Sequence, residues 1–76
     1  MIGVILELYG SSSCPYTAEL RDQLDYDGRP YMEYDVEVDT AALERLVILT
    51  GGRAIPALVE NGRVIELGWR GRSCMV

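Results

Sequence analysis

The two cysteines are the residues of this chain best suited to covalent chemistry. The 76 residues include two Cys and no His, which excludes an imidazole-based triad and leaves too few soft ligands for a closed zinc site. Nucleophilic chemistry must therefore begin at sulfur. Cys14 follows a Gly-Ser-Ser-Ser loop and directly precedes Pro15, and proline is favoured at the first position of an α-helix. The sequence thus predicts that Cys14 is the N-cap residue of a helix.

An N-cap position would favour ionisation of the Cys14 thiol. The free N–H groups of the first helical turn and the positive end of the helix dipole both stabilise a thiolate. Cysteines in such places have pKa values from about 3.5 to 7.5, compared with about 8.5 for a free cysteine. The alternative is a small buried cysteine that contributes only to packing.

The hydrophobic pattern predicts an α/β fold with the order β-α-β-α-β-β. The second helix should be capped by Asp39 or Thr40, and Asn61-Gly62 is a strong signal for a hairpin turn. A right-handed β-α-β unit with parallel strands, completed by the hairpin, makes a four-stranded mixed sheet. The predicted elements are strands 3–9, 31–36, 57–59 and 64–67, a first helix over 15–26, and a second helix that starts after its cap and stops at Gly51-Gly52.

The apolar positions also predict which residues are buried. Val4, Ile5 and Leu6 form an unbroken apolar run that is typical of a central strand covered on both faces. Met32, Tyr34 and Val36 alternate with polar or amphipathic residues, as in a half-buried strand. The apolar faces of the two helices are predicted to consist of Leu20 and Leu24 in the first and of Leu43, Leu46 and Val47 in the second.

Length and charge limit the possible partners. A chain of 76 residues is expected to form one domain, residues 1–76. Its net charge of −5 argues against nucleic acid or an anionic membrane as a partner. Residues 1–8 have no basic flank and are interrupted by Glu7, so we expect neither a secretion signal nor a membrane span, and a cytoplasmic location.

Two motifs resemble those of a known family. Cys14-Pro15-Tyr16-Thr17, placed after a strand, resembles the Cys-Pro-Tyr-Cys active-site loop of the glutaredoxins, which are small thioredoxin-fold proteins. Residues 50–56, which end in Ile55-Pro56, resemble the family loop in which a cis-proline faces the catalytic sulfur.

This likeness extends over residues 3 to 67 and implies a minimal thioredoxin/glutaredoxin fold without the final helix. It also implies that Pro56 is cis and that the Ile55 backbone pairs antiparallel with glutathione or another substrate, with Pro15 and Tyr16 beside it. The ending of the chain, residues 68–74, is similar to a bacterial glutaredoxin-like group called Uxx-star, some of whose members carry selenocysteine at the position of Cys14.

The chain departs from the glutaredoxin pattern in two ways. Thr17 stands where dithiol members have their second cysteine; its hydroxyl could donate to the Cys14 thiolate or cap the first helical turn. Residues 66–69 do not match the residues with which the family binds the glutamyl end of glutathione. This leaves glutathione specificity open. Arg53 matches a basic position that could pair with the glycine carboxylate of glutathione, and the alternative is an exposed surface arginine.

Cys74 could supply the resolving thiol that position 17 lacks. It lies in a tail that is too short for a helix but able to fold back across the sheet, with Trp69 as the expected anchor. A disulfide between Cys14 and Cys74 would stabilise the oxidised form by roughly 4 kcal/mol. The alternatives are a buried tail cysteine and a frayed, exposed one.

These features favour a thiol-disulfide oxidoreductase that uses no metal. The Cys14 thiolate would attack a disulfide-bonded or glutathionylated protein or a small disulfide, Ile55 and Pro56 would align it, and glutathione or Cys74 would resolve the mixed disulfide. We expect a monomer. Two alternatives remain: a redox-silent binding module of the same fold, and a dimer that carries an iron-sulfur cluster with glutathione.

Overall fold

A computed structural model describes residues 4–76 and contains one mixed four-stranded sheet with the strand order β2-β1-β4-β5. Strand β1 pairs parallel with β2 and antiparallel with β4, and β5 pairs antiparallel with β4. The predicted α/β architecture is confirmed. The elements are β1 Leu6–Gly10, α1 Pro15–Tyr26, β2 Met32–Asp35, α2 Thr40–Thr50, β3 Ala54–Ile55, β4 Ala57–Glu60, β5 Arg63–Leu67 and β6 Cys74–Met75.

The two helices cover opposite faces of the sheet. Because side chains alternate along a strand, Leu6 and Leu8 of β1 pack with Leu20 and Leu24 of α1. Tyr9 points the other way. It lies in a second cluster whose buried members are Tyr9, Cys14, Val36, Ala42, Leu46, Ile55, Ala57 and Val59. The same cluster therefore holds the inner face of α2 and Cys14. Neither helix within residues 4–76 is long and apolar enough to cross a membrane.

The prediction that the apolar run at the start of β1 is covered on both faces was wrong for two residues. Val4 and Ile5 are 60% and 62% exposed, and the strand begins at Leu6. The reason is the length of the neighbouring hairpin, because pairing of β1 with β4 ends where Leu6 meets Glu60. Ile5 is held instead by Asn61, whose side-chain oxygen accepts from the Ile5 N–H at 2.8 Å. Position 3 of the predicted strand lies outside the described residues.

The predicted caps and turns are confirmed, whereas the predicted buried face of α2 needs a correction. The Asp39 side chain accepts a hydrogen bond from the Ala42 N–H, and Gly51 ends the helix in the left-handed conformation, with φ 79°. Both turn residues of the hairpin, Asn61 and Gly62, have positive φ, as a type I′ turn requires. Val47 lies at the exposed edge of the helix.

Two further residues, one in α2 and one in β2, differ from the predicted pattern of burial. Ala42, small enough for close packing, is buried next to Leu46 in α2. Met32, predicted to lie on the covered side of β2, is exposed because β2 is an edge strand of the sheet.

The tail after β5 folds back onto the molecule. Trp69 packs against the cluster beneath α1, which confirms its predicted role as an anchor. Reciprocal backbone hydrogen bonds of 2.7 and 3.0 Å join Trp69 and Arg72 and reverse the chain direction. Gly68 is needed at the start of this turn, because its φ is 80° and a Cβ there would lie 2.8 Å from the Arg72 carbonyl oxygen.

The reversed chain forms a second, two-stranded sheet. In it, β6 pairs antiparallel with β3, so that Cys74 lies opposite Ile55 and Met75 opposite Ala54. The peptide bond between Ile55 and Pro56 is cis, as the family resemblance implies. The tail is therefore paired and anchored, which contradicts the alternative of a frayed end.

A very close contact joins the end of β1 to the start of α1. Thr17 is fully buried and packs directly over Gly10, the last residue of β1. A Cβ at position 10 would lie 2.6 Å from Thr17 Oγ1 and closer still to Thr17 Cγ2. Glycine is thus required here by space rather than by backbone conformation.

We expect Gly10→Ala to lower the free energy of unfolding by about 1–3 kcal/mol, because the added methyl group overpacks a filled site. Urea denaturation would measure the change. Gly52→Ala is the matched control, since a Cβ there meets no atom within 4 Å and should change stability by no more than about 0.5 kcal/mol. Equal effects of the two substitutions would show that the contact does not constrain the fold.

Candidate active site

Cys14 is the N-cap residue of α1, as predicted. Its backbone is extended, with φ −96° and ψ 115°, and Pro15 occupies the first helical position. The Cys14 carbonyl oxygen accepts from the Ala18 N–H at 3.3 Å, while its own N–H donates to the Ser11 carbonyl oxygen at 3.2 Å. The residue is only 3% exposed. Cys14 is therefore both an N-cap residue and a buried cysteine, which the sequence analysis treated as alternatives.

Cys14 is joined to Cys74 by a disulfide bond that spans 60 positions of the sequence. The two Cα atoms are 6.1 Å apart, within the usual range for a disulfide. Cys74 is half-buried and packs against the same cluster as Cys14. The tertiary structure therefore brings both sulfur atoms to one site at the start of α1.

Residues of both motifs lie in the cluster that contains this disulfide. Ile55 and Pro56 are buried, and the backbone of Ile55 faces Cys74 across the β3–β6 pair. Tyr16 is half-buried and packs against the cluster that contains Cys14. The first motif and the Ile-Pro loop therefore meet at one place, with the tail between them and solvent.

Arg53 lies at the end of this site, exposed, and makes two contacts with the tail. Its carbonyl oxygen accepts from the Val76 N–H at 3.2 Å. Its guanidinium Nη1 donates to the Val76 oxygen at 3.5 Å. The arginine that the resemblance assigned to a glutathione carboxylate thus holds the backbone of the tail.

Thr17 lies in the first turn of α1 with its side chain directed toward β1. Its Oγ1 accepts a hydrogen bond from the Ser11 N–H at 3.4 Å. The side chain therefore joins the start of the helix to the loop that precedes Cys14. Its suggested role as a donor to the thiolate stays a prediction, since here the Cys14 sulfur is in a disulfide.

Sequence reasoning missed the group that holds the loop before Cys14. The Glu37 carboxylate, just beyond β2, accepts hydrogen bonds from the hydroxyls of Ser11 and Ser13, the latter at 2.7 Å. These bonds, first that of Ser11 and then that of Ser13, hold the pKa of Glu37 below its ordinary value. The only feature of the sequence that pointed to this contact was the run of serines, whose hydroxyls need hydrogen-bond acceptors.

A second carboxylate completes the attachment of this loop to β2. Asp35 Oδ1 accepts from the Glu37 N–H at 3.0 Å, and Asp35 Oδ2 accepts from the Ser12 N–H at 3.4 Å. The loop therefore rests on two acidic side chains, whereas the opposite end of the site carries Arg53. Among residues 4–76, no cluster of three or more His, Cys, Asp or Glu side chains could hold a metal ion.

Comparison with known proteins identifies the family. Residues 6–65 match the family model named Glutaredoxin. The chain belongs to the glutaredoxin family. Its fold is the minimal thioredoxin/glutaredoxin fold, in which, within residues 4–76, no helix follows β5. A search of curated protein sequences finds no match.

Solved structures share this fold. A mutant of the thioredoxin-like protein BC3987 is 29% identical, with a TM-score of 0.77 over 86% of this chain and 82% of that protein. The buckwheat glutaredoxin-glutathione complex is 21% identical, with a TM-score of 0.71 over 84% of this chain and 61% of that one. Glutaredoxin 1 from Francisella tularensis, complexed with cacodylate, is 14% identical, with a TM-score of 0.62 over 86% and 84% of the two chains.

We expect Glu37→Gln to reduce the loss of stability that accompanies a fall in pH. The folded protein lowers the pKa of Glu37 from 4.5, so its stabilising effect is present above that ordinary value and is lost as pH falls through the folded-state pKa. Urea denaturation between pH 7 and about pH 3 should show the wild type more stable at neutral pH, with the difference shrinking in acid. Glu44→Gln, which also removes one exposed charge, is the control. A difference that stays the same across this range would contradict a stabilising role for the hydrogen bonds from Ser11 and Ser13 to Glu37.

We expect the disulfide to stabilise the fold by about 4 kcal/mol, because it closes a loop of some sixty residues in the unfolded chain. Urea denaturation of oxidised wild type and of Cys74→Ser would measure this effect. With a reductant present, the two proteins should unfold at similar urea concentrations, since Cys74 then makes no covalent bond. Equal stability of oxidised and reduced wild type would contradict the expectation.

Proposed function

We propose that this chain is a thiol-disulfide oxidoreductase in which Cys14 is the nucleophile and Cys74 the resolving thiol. The observation that carries the proposal is the disulfide between a helix N-cap cysteine and a tail cysteine 60 positions away. Such a pair can accept and return two electrons. Membership of the glutaredoxin family supports the same class of reaction.

The position of Cys14 supports its role as the nucleophile. In the reduced protein its sulfur would face the first-turn N–H groups of α1, which stabilise a thiolate. No acidic residue lies in that first turn. The Glu37 carboxylate opposes ionisation, but it is exposed and its charge is screened by solvent. A free cysteine is only a few per cent thiolate at pH 7, so this placement would raise the reactive fraction.

The proposed reaction consists of two exchanges at sulfur. The Cys14 thiolate attacks one sulfur of a substrate disulfide, forms a mixed disulfide and releases the other sulfur as a thiolate. The Cys74 thiolate then attacks the Cys14 sulfur and releases the second substrate sulfur. The substrate gains two electrons, and the protein is left with the Cys14–Cys74 disulfide. Glutathione or another thiol returns the protein to the dithiol form by the same chemistry.

Glutathione enters this proposal as a co-substrate. The buckwheat protein of the same fold was solved as a glutathione complex, and Arg53 here offers a guanidinium at the end of the site. We also propose that the protein acts in the cytoplasm, where free thiols are kept reduced. Membership of the Uxx-star group, suggested by residues 68–74, is a further proposal that the sulfur chemistry does not depend on.

The reaction can be tested by intact mass after oxidised glutathione is added to the reduced protein. We expect wild type to form the internal disulfide and Cys74→Ser to gain one glutathione, because its mixed disulfide cannot be resolved. Cys14→Ser should lose the activity toward a small disulfide, since the nucleophile is absent.

Ultraviolet titration of the thiolate in reduced Cys74→Ser gives an independent check. We expect the Cys14 pKa to lie well below the free value of about 8.5. Ionisation near that value, together with no glutathione adduct on Cys14, would favour a redox-silent binding module. Adducts on both thiols of wild type would exclude Cys74 as the resolving group.

A further inference from the structure

Both cysteines lie in one buried part of the molecule. Cys14 is 3% exposed, and Cys74 is half-buried against the same cluster. Their Cα atoms are 6.1 Å apart. Contacts that do not involve sulfur also hold Cys74 there, since it lies opposite Ile55 in the β3–β6 pair and the Val76 N–H donates to the Arg53 carbonyl oxygen at 3.2 Å. We therefore expect strand pairing to keep the two sulfur atoms close after the disulfide is reduced.

The surroundings of these sulfur atoms are poor in other metal ligands. The chain has no His, and within residues 4–76 no group of three or more His, Cys, Asp and Glu side chains is placed to hold a metal ion. The Glu37 carboxylate is exposed and accepts hydrogen bonds from Ser11 and Ser13. The buried residues that pack with Cys14 are hydrophobic. A metal ion between the two cysteines would therefore have two protein ligands.

A site with two sulfur ligands favours Cu(I) over divalent metals. Zn²⁺ almost always takes four ligands, and the burial of Cys14 leaves little space for water molecules to supply the other two. Soft thiolates select Cu(I), a monovalent cation that is stable with two ligands in a linear arrangement. Two thiolates and one Cu(I) carry a single net negative charge, which the first-turn N–H groups of α1 stabilise. No acidic residue lies in that turn.

We propose that the reduced protein binds one Cu(I) ion between the sulfur atoms of Cys14 and Cys74. Each sulfur forms one bond to copper, and a thiol that is protonated beforehand releases its proton to solvent. Neither copper nor sulfur changes its oxidation state. With metal–sulfur bonds of about 2.3 Å, a linear unit needs sulfur atoms about 4.6 Å apart. Cα atoms 6.1 Å apart allow this separation, because rotation about χ1 moves each sulfur atom.

The copper site is an addition to the proposed exchange reaction and uses the same two side chains. Copper and the disulfide exclude each other, because each requires both sulfur atoms. Oxidation of the pair by a substrate disulfide would therefore free the ion, a step that, unlike the binding itself, rests on the proposed function. In that step two electrons pass from the protein sulfurs to the substrate disulfide, and copper leaves as Cu(I).

Competition with the chromophoric Cu(I) chelator bicinchoninate, without oxygen or added thiols, measures the binding. We expect reduced wild type to take one Cu(I) per chain from the chelator and oxidised wild type to take none. Loss of an outer-sphere partner alone lowers metal affinity about 10–100-fold. Cys14→Ser and Cys74→Ser each lack one of two ligands, so they should bind at least about a hundredfold more weakly than wild type. Equal affinities of wild type and Cys74→Ser would overturn the site.

A variant with two thiols in different places tests whether the geometry matters. Met75 follows Cys74 in β6 and is 74% exposed, because successive side chains of a strand point to opposite faces. Cys74→Ser/Met75→Cys therefore keeps the number of thiols but directs one of them to solvent. We expect it to bind Cu(I) as weakly as Cys74→Ser, with circular dichroism verifying that both variants are folded. Binding as tight as that of wild type would show that any two cysteines suffice and would overturn the site.

X-ray absorption of copper-loaded wild type tests the set of ligands. We expect two sulfur neighbours and no nitrogen or oxygen, in a protein that elutes as a monomer in size-exclusion chromatography. Three sulfur neighbours in a dimer would overturn the assignment, since copper would then be shared between chains.

The copper site and the proposed function can fail separately. If wild type does not bind Cu(I) but still forms its internal disulfide with oxidised glutathione, the copper site alone is overturned. If it binds Cu(I) while Cys14 reacts with no disulfide, the proposed function alone is overturned.

Discussion

The contact of Thr17 with Gly10 is the constraint on which the site depends. It brings the start of α1 against the end of β1 so closely that no side chain fits at position 10. The short loop between them must then place Cys14 at the helix N-terminus, where the backbone N–H groups are unsatisfied. A looser junction would leave the sulfur without a defined electrostatic environment.

The loop that carries Cys14 is held from its other side by acidic groups. Glu37 and Asp35 accept hydrogen bonds from Ser11, Ser12 and Ser13, so the loop is fixed to the end of β2. Charge is consequently divided across the site, with carboxylates beside the loop and Arg53 at the far end of β3.

The tail links the chemistry to the stability of the fold. At 76 residues the chain has a small core, and an entropic contribution of about 4 kcal/mol from one disulfide is comparable to what such a core supplies. Oxidation therefore fixes the tail to β3 at the same time as the two thiols give up two electrons and form the disulfide. In the reduced protein the tail would be held by strand pairing, by the Arg53–Val76 hydrogen bond and by the Trp69 contact.

Local signals in the sequence were enough to predict the two helices, the four strands of the main sheet and the position of Cys14, whereas β3 and β6 were not predicted. Pro15 at the first helical position, the Asp39 cap and the Asn61-Gly62 turn act over a few residues, so their effect can be recognised without knowing the fold. The motif beginning at Cys14 and the Ile55-Pro56 pair also indicated the family, because their spacing is that of the two halves of its site.

Tertiary structure alone decided which distant groups meet. Val4 and Ile5 are exposed because the pairing of β1 with the neighbouring hairpin ends at Leu6. The length of that hairpin cannot be read from the apolar pattern of β1. The pairing of Glu37 with the serine loop, and of the tail with β3, depends on strand order and on where the chain reverses at Trp69. By itself the sequence determined that a cysteine would sit at the start of a helix; what faces that cysteine was decided by contacts between segments up to 60 positions apart, which no local preference encodes.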